Sequence, residues 1–230
     1  MSSPSQKSQL HALGFLILAM LSVQSSASLA KVLFQNFPVL TVSAMRLCIG
    51  AFILAFLFQI WKINFSQVRW KAILSYGFAL AGMNALFYLS LERLPIGIAV
   101  AFEFIGPLSV VLYHAKQKYD FVWITFAIIG LILLFPFNQA HSLDWIGVLF
   151  AMSAGACWAL YIIAGQKPSG ISGNHTVCLG MTVGACILLP ITFFSGSIGQ
   201  VIEPPYFFYF IGLAVLASAL PFSLEMLALR

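Results

Sequence analysis

Leu94-Pro95-Ile96-Gly97-Ile98-Ala99-Val100-Ala101-Phe102-Glu103-Phe104-Ile105-Gly106-Pro107-Leu108-Ser109-Val110-Val111-Leu112-Tyr113-His114 is the stretch that decides the fold. From Ile96 to Tyr113 it carries one charged side chain, Glu103, in an otherwise apolar run. About 20 such residues, wound as a helix, cross a hydrocarbon layer about 30 Å thick. A backbone in hydrocarbon must satisfy its own polar groups, which selects the helix for a single segment of this length. A carboxyl in such a helix is costly, about 2.5–3.5 kcal/mol on insertion scales, and usually faces a cavity or a partner.

The rest of the 230 residues has the same character. The chain is 61% hydrophobic and 7% charged, with a mean hydropathy of +1.00. Soluble domains are about 25% charged. Eleven Lys and Arg and six Asp and Glu cannot cover a water-facing surface of this size. That excludes an ordinary soluble enzyme, a disordered chain and a nucleic-acid-binding domain. The net charge of +5 is spread without a basic cluster, as in the loops of a membrane protein. Cys48, Cys157, Cys178 and Cys186 all lie in apolar segments with no metal spacing, and read as reduced thiols. HExxH, P-loop and GxSxG motifs are absent, and no metal or cofactor is expected.

Eight apolar segments follow one another, and the expected fold is an all-α integral membrane protein with eight transmembrane helices. The spans run approximately Leu10–Leu33, Pro38–Ile60, Trp70–Leu91, Ile96–His114, Phe121–Phe137, Leu143–Gly165, Thr176–Ser195 and Tyr206–Leu229. The first is read as a span rather than a cleaved signal peptide, because its polar lead is weakly basic and seven more spans follow. With the N-terminus inside, the inner loops carry Lys7, Lys62, Arg69, Lys71, Lys116, Lys118, Lys167 and Arg230, the outer ones only Lys31 and Arg93. The bias predicts a cytoplasmic N-terminus.

A shift of 137 residues lays the Leu91-Glu92-Arg93 end of the third span on the Ala228-Leu229-Arg230 end of the eighth. The first span then corresponds to the sixth. The implied unit is five helices, and an odd number places two such units in opposite orientations. The expected division is a five-helix repeat over 1–137 and an incomplete, three-helix repeat over 138–230.

Several stretches carry a family likeness: Ala27-Ser28-Leu29-Ala30-Lys31, Met45-Arg46-Leu47, Gly82-Met83-Asn84 with Leu86-Phe87-Tyr88-Leu89-Ser90, Pro95 to Leu108, Asp120-Phe121-Val122-Trp123, Gly155-Ala156-Cys157-Trp158-Ala159-Leu160-Tyr161 and Leu220-Pro221-Phe222-Ser223-Leu224-Glu225-Met226. On these the chain resembles the drug/metabolite transporter superfamily, EamA type, in particular the branch that exports small amino acids of the threonine and homoserine kind. The resemblance implies ten helices in two inverted five-helix repeats, of which the last two are expected to be lacking here. It also implies a bacterial inner-membrane, multi-pass location, a small-molecule amino-acid or metabolite substrate, and coupling by proton antiport. Two other outcomes stay open: a truncated, transport-inactive membrane fragment, and a transporter of the same superfamily with a different metabolite or drug cargo. The oligomeric state is left unassigned.

Within the spans a few residues carry chemistry. Arg46 lies eight residues after Pro38 and Glu103 eight after Pro95, in spans that both enter from the outside. At 1.5 Å per residue each sits about 12 Å below the surface. They are either a fixed ion pair or the two poles of a zwitterion site, with Glu103 toward the ammonium and Arg46 toward the carboxylate. A carboxyl withdrawn from water protonates more easily, which suits Glu103 to carry the coupling proton. Gln24 and Ser28, with Lys31, share one face of the first span; they read as interhelical hydrogen-bonding groups or as a cavity wall. Asn84 and Tyr88 form a second polar face, and Trp158 with Tyr161 an aromatic one. Gly106 and Pro107 are the expected gating element, because proline can kink a membrane helix beside the one mid-membrane acid.

Overall fold

Apolar runs rich in Ala, Leu, Ile and Phe have one way to satisfy their backbone in hydrocarbon, and the described runs take it. The computed structural model describes residues 6–134, 143–194, 198–221 and 224, and among these it is helical with no strand. The helices are α1 (Gln6–Leu33), α2 (Val39–Leu57), α3 (Trp70–Arg93), α4 (Ile96–His114), α5 (Lys118–Leu134), α6 (Trp145–Gly165), α7 (Gly173–Phe194), the short α8 (Ile198–Val201) and α9 (Tyr206–Ala214). α9 runs into a π-helical turn, Val215–Ala219.

Each expected span overlaps a helix among the described residues, the eighth by way of the short α9 and its π turn. Among the described residues, five helices (α2, α3, α4, α6 and α7) are long and apolar enough to cross a membrane, and Ile17–Leu33 and Tyr206–Ala219 are shorter apolar helical stretches. α5 has 17 residues. The expected end of the fifth span at Phe137, and that of the eighth, lie outside the described residues. α2 and α4 each start directly after a proline in extended conformation, Pro38 (φ −56°, ψ 138°) and Pro95 (φ −57°, ψ 144°). Proline has no N–H to lose at a helix start, so these prolines fix where both helices begin.

The chain divides into two compact units. One comprises residues 1–65 and 171–230, the other 66–170. Each unit draws helices from both halves of the chain.

In the first unit α2 packs against α7, α9 and the π turn, and α1 against α9 and the same turn. Phe37, just ahead of α2, meets Tyr206 and the fully buried Phe210 edge-to-face, with ring centroids 5.0 and 5.1 Å apart. At the other end of α2, His175 holds the Phe58 carbonyl at 2.9 Å through Nε2, while its Nδ1 is 2.8 Å from the Ser172 hydroxyl.

In the second unit α6 packs against both α3 and α4, and α4 also touches α5. Between membrane helices the association rests on close van der Waals fit and interhelical polar contacts rather than on hydrophobic burial. α6 accordingly offers small residues: Ala151, Ala154 and Gly155 are buried. Both ends of α3 are pinned. The Arg69 N–H donates to the Ser169 carbonyl at 2.8 Å. Arg93 donates to Asp144 at 2.8 Å. Asp144 is also the N-cap of α6, accepting from the N–H groups of Ile146 (2.9 Å) and Gly147 (3.4 Å).

Candidate functional site

α4 carries its acid in the third helical turn. Glu103 is 6% exposed. Around it the helix is held by contacts that only glycine permits. A methyl group on Gly106 would run into the Gly155 carbonyl oxygen of α6. A Cβ on Gly155 would stand 2.5 Å from the Glu103 carbonyl oxygen and 3.3 Å from Glu103 Cα. Backbone therefore meets backbone where the carboxyl is mounted. Pro107, inside α4, has no N–H to offer the Glu103 carbonyl four residues back. One turn on, the Ser109 hydroxyl donates to the Gly106 carbonyl at 2.6 Å.

The other expected residues of this unit sit on α3 and α6. Asn84 and Tyr88 are both buried. The Asn84 amide donates to the Leu80 carbonyl of its own helix at 2.7 Å, which leaves its carbonyl oxygen as its acceptor end. Trp158 meets Phe104, the residue after Glu103, edge-to-face with centroids 5.1 Å apart. The aromatic face of α6 thus reaches the glutamate's own turn. Tyr161, one turn further along α6, hydrogen-bonds Tyr76 through the two hydroxyls at 2.6 Å, with rings 4.5 Å apart. Tyr76 escaped the sequence reading. Its spacing of eight from Asn84 and twelve from Tyr88 puts all three on one face of α3, which is the signal that would have found it.

Arg46 belongs to the other unit. It is 8% exposed and shares the buried side of α2 with Ser43 and Gly50. On α1 the polar face turned into the structure is not the one the sequence favoured. Gln24 and Ser28 are exposed, whereas Ser22 and Ser26 are buried together with Ala19, Ala30 and Leu33. The reason is angular. At 100° per residue, Gln24 stands about 200° around the helix from Ser22, on the opposite side. The Ser22 hydroxyl donates to the Leu216 carbonyl at 2.6 Å. That carbonyl lies in the π turn, where the usual i to i+4 hydrogen-bond pattern is interrupted. A π turn leaves no simple mark in residue spacing, so nothing in the sequence sets Ser22 above Gln24 or Ser28.

Outside the spans, the Arg93 guanidinium beside Asp144 holds that carboxyl below its ordinary range, helped by the helix N–H groups it accepts from. Asp144 thus works as a cap and ion-pair partner on the rim. Among the described residues, no cluster of His, Cys, Asp or Glu could hold a metal ion. What the second unit offers chemically is one buried carboxyl, a nearby aromatic face and buried amide and phenol groups, a set that fits a small cation bearing further polar groups.

Residues 145–230 match the model of the EamA-like transporter family. Over 221 residues the chain is 42% identical to the threonine/homoserine exporter RhtA of Salmonella typhimurium (strain LT2), covering 93% of this chain and 72% of that protein. Over 219 residues it is 43% identical to the threonine/homoserine exporter RhtA of Escherichia coli (strain K12), with the same shares of the two chains. A solved crystal structure of a protein only 15% identical superposes with a TM-score of 0.57, covering 97% of this chain and 86% of the other, and shares the fold.

Proposed function

The chain belongs to the EamA-like transporter family, and from that premise we propose that this multi-pass membrane protein exports small amino acids of the threonine and homoserine kind from the bacterial inner membrane by exchange for protons. The observation that carries the cargo is the 42–43% identity to exporters of that name over 93% of the chain. The Lys and Arg bias of the loops supports a cytoplasmic N-terminus.

The burial of Glu103 in an apolar helix supports its role. As a carboxylate it supplies the counter-charge to the substrate ammonium. When the substrate leaves to the outside, a proton takes its place and neutralises the carboxyl. The neutral side chain returns without carrying charge through the low-dielectric interior, and it gives the proton up inside. Substrate and proton thus occupy one group in turn, which is all that an exchanger needs. Asn84 and Tyr88 offer the hydroxyl-bearing end of the substrate hydrogen-bonding partners, and Trp158 an apolar wall. Arg46 is the chemical match for the substrate carboxylate; its assignment, like those of Gln24 and Ser28, rests on sequence alone. Pro107 is the hinge, with Gly106 holding α4 on one side of it and residues 108–114 moving on the other.

The test is efflux of labelled threonine and homoserine from cells making the chain, against cells making Glu103→Gln at equal level. The substitution keeps the shape and removes both the negative charge and the ionisable proton. Efflux at least tenfold slower in the variant is expected. Equal efflux by a well-expressed Glu103→Gln chain removes Glu103 from the mechanism, and efflux no faster than from cells lacking the chain removes the cargo assignment.

A further inference from the structure

We propose that Gly155 is the positioning residue of Glu103: the bare Cα of Gly155 on α6 receives the Glu103 backbone carbonyl, so that α6 rather than α4 alone sets where the carboxyl-bearing turn lies. The proposal rests on the reading of Glu103 as the working carboxyl, and adds to it a residue that touches neither substrate nor proton.

Three observations meet at this point. First, Pro107 occupies the position whose N–H would serve the Glu103 carbonyl in a regular helix. The regular i to i+4 bond is therefore not made at this position. Second, the Glu103 carbonyl oxygen lies where a Cβ of Gly155 would come within 2.5 Å, so the carbonyl is in contact with the glycine backbone itself. Contacts of this kind, from Cα–H to a carbonyl oxygen, recur at close helix crossings and are weak singly. Third, the contact is reciprocal. The Gly155 carbonyl in turn occupies the space beside Gly106 Cα. Two donors and two acceptors, all main chain, lock one turn of α4 to one turn of α6. No side-chain rotation can relax such a contact, so a methyl group at Gly155 must displace the Glu103 turn.

A packing glycine elsewhere on the same unit provides the control. Gly82 on α3 faces Cys157 of α6, and its added Cβ would meet only the Cys157 side chain, at 3.1 Å from Sγ. Gly82→Ala therefore disturbs α6 packing without touching Glu103. The ionisable side chains inside the spans packed on α4 are Tyr76 and Tyr88 of α3 and Cys157 and Tyr161 of α6. They are unchanged in every variant, as are Lys71, Glu92 and Arg93 at the ends of α3 and Lys118, Tyr119 and Asp120 at the start of α5.

The experiment reads the Glu103 carboxyl directly and does not require transport. Membranes holding the full chain are treated with dicyclohexylcarbodiimide, which modifies protonated carboxyls in hydrocarbon, and labelling of Glu103 is followed by mass spectrometry from pH 5 to 9. Gly155→Ala is expected to change the labelling rate at fixed pH at least threefold and to move its pH midpoint, while Gly82→Ala leaves both as in the unaltered chain. Pro107→Ala returns an N–H to the Glu103 carbonyl and is expected to move the midpoint as well. It serves as the decisive variant should Gly155→Ala not fold. An unchanged midpoint in a folded Gly155→Ala chain overturns the proposal. So does an equal shift from Gly82→Ala, or an unchanged midpoint in Pro107→Ala when that is the variant available. The two readings separate cleanly. Normal efflux by Glu103→Gln removes Glu103 from transport and leaves the labelling comparison standing, whereas an unmoved midpoint removes Gly155 and leaves the transport role intact.

Discussion

Gly50 in one unit and Gly106 in the other both lie where a neighbouring helix leaves no room for a methyl group, yet their neighbours differ in kind. A Cβ on Gly50 would stand 2.8 Å from the Met181 Cε and 3.0 Å from the Ser218 Oγ, two side-chain atoms. A Cβ on Gly106 would meet the Gly155 carbonyl, which is main chain. The interruptions of helical hydrogen bonding follow the same division. In the first unit the π turn is served by a side chain, the Ser22 hydroxyl on the Leu216 carbonyl. In the second, the turn before Pro107 rests on the glycine backbone of α6. The first unit is therefore adjustable where it is tight. The second is rigid where it carries its buried acid, as the proposed role of that acid, meeting a small ligand at fixed distance, requires.

That contrast can be broken by experiment. Gly106→Ala has no side chain to push aside, and its cost should lie at or beyond the upper end of the ~1–3 kcal/mol seen for overpacking. The expected result is severe loss of the monodisperse protein in detergent; recovery at the level of the unaltered chain would mean that the two backbones separate readily. Gly50→Ala should destabilise by about 1 kcal/mol, because Met is the most adaptable of the large apolar side chains. Thermal unfolding should find a modest loss that Met181→Ala relieves, and a loss as large as that of Gly106→Ala would erase the distinction between the units. Ser22→Ala removes one interhelical hydrogen bond without adding volume. Such bonds average about 0.6 kcal/mol and reach about 1.7 kcal/mol in a membrane protein, so a small fall in unfolding temperature is expected, with efflux retained.

The smallest effect belongs to Asp144→Asn on the rim. Asparagine caps a helix as well as aspartate does, but it loses the ion pair with Arg93. Since the folded protein holds the Asp144 carboxyl below its ordinary range, its contribution is complete above that range and is lost as the pH falls through it. The unaltered chain should thus lose unfolding temperature more steeply than Asp144→Asn between about pH 5 and pH 3. Parallel acid limbs would mean that the pair adds nothing to stability.

The helices were legible in the sequence because in hydrocarbon one constraint, backbone satisfaction, dominates all others. Ile96–His114 was read to the residue, with Pro95 marking its start. The buried state of Arg46 and Glu103 was legible for the same reason, as both interrupt apolar helices. The orientation of α1 was not. Gln24, Ser28 and Lys31 lie at helical spacing, but so do Ser22 and Ser26, and the choice between the faces is made by α9 and its π turn, more than 180 residues away in the chain. The glycine crossing was half legible: Gly106 stood out beside Pro107, while Gly155 looked like any small residue of a membrane helix until α4 was laid against it. Tyr76 was missed because its partner, Tyr161, lies 85 residues away.

The claim at the centre of this account is that substrate ammonium and proton take turns on the Glu103 carboxyl. Its most direct measurement is proton release on substrate binding by purified protein in weakly buffered solution. Threonine added to the unaltered chain should release protons, with a yield that falls as the pH rises above the carboxyl's own titration, and Glu103→Gln should release none. Equal release from the two proteins, or threonine binding by Glu103→Gln with undiminished affinity, would contradict it.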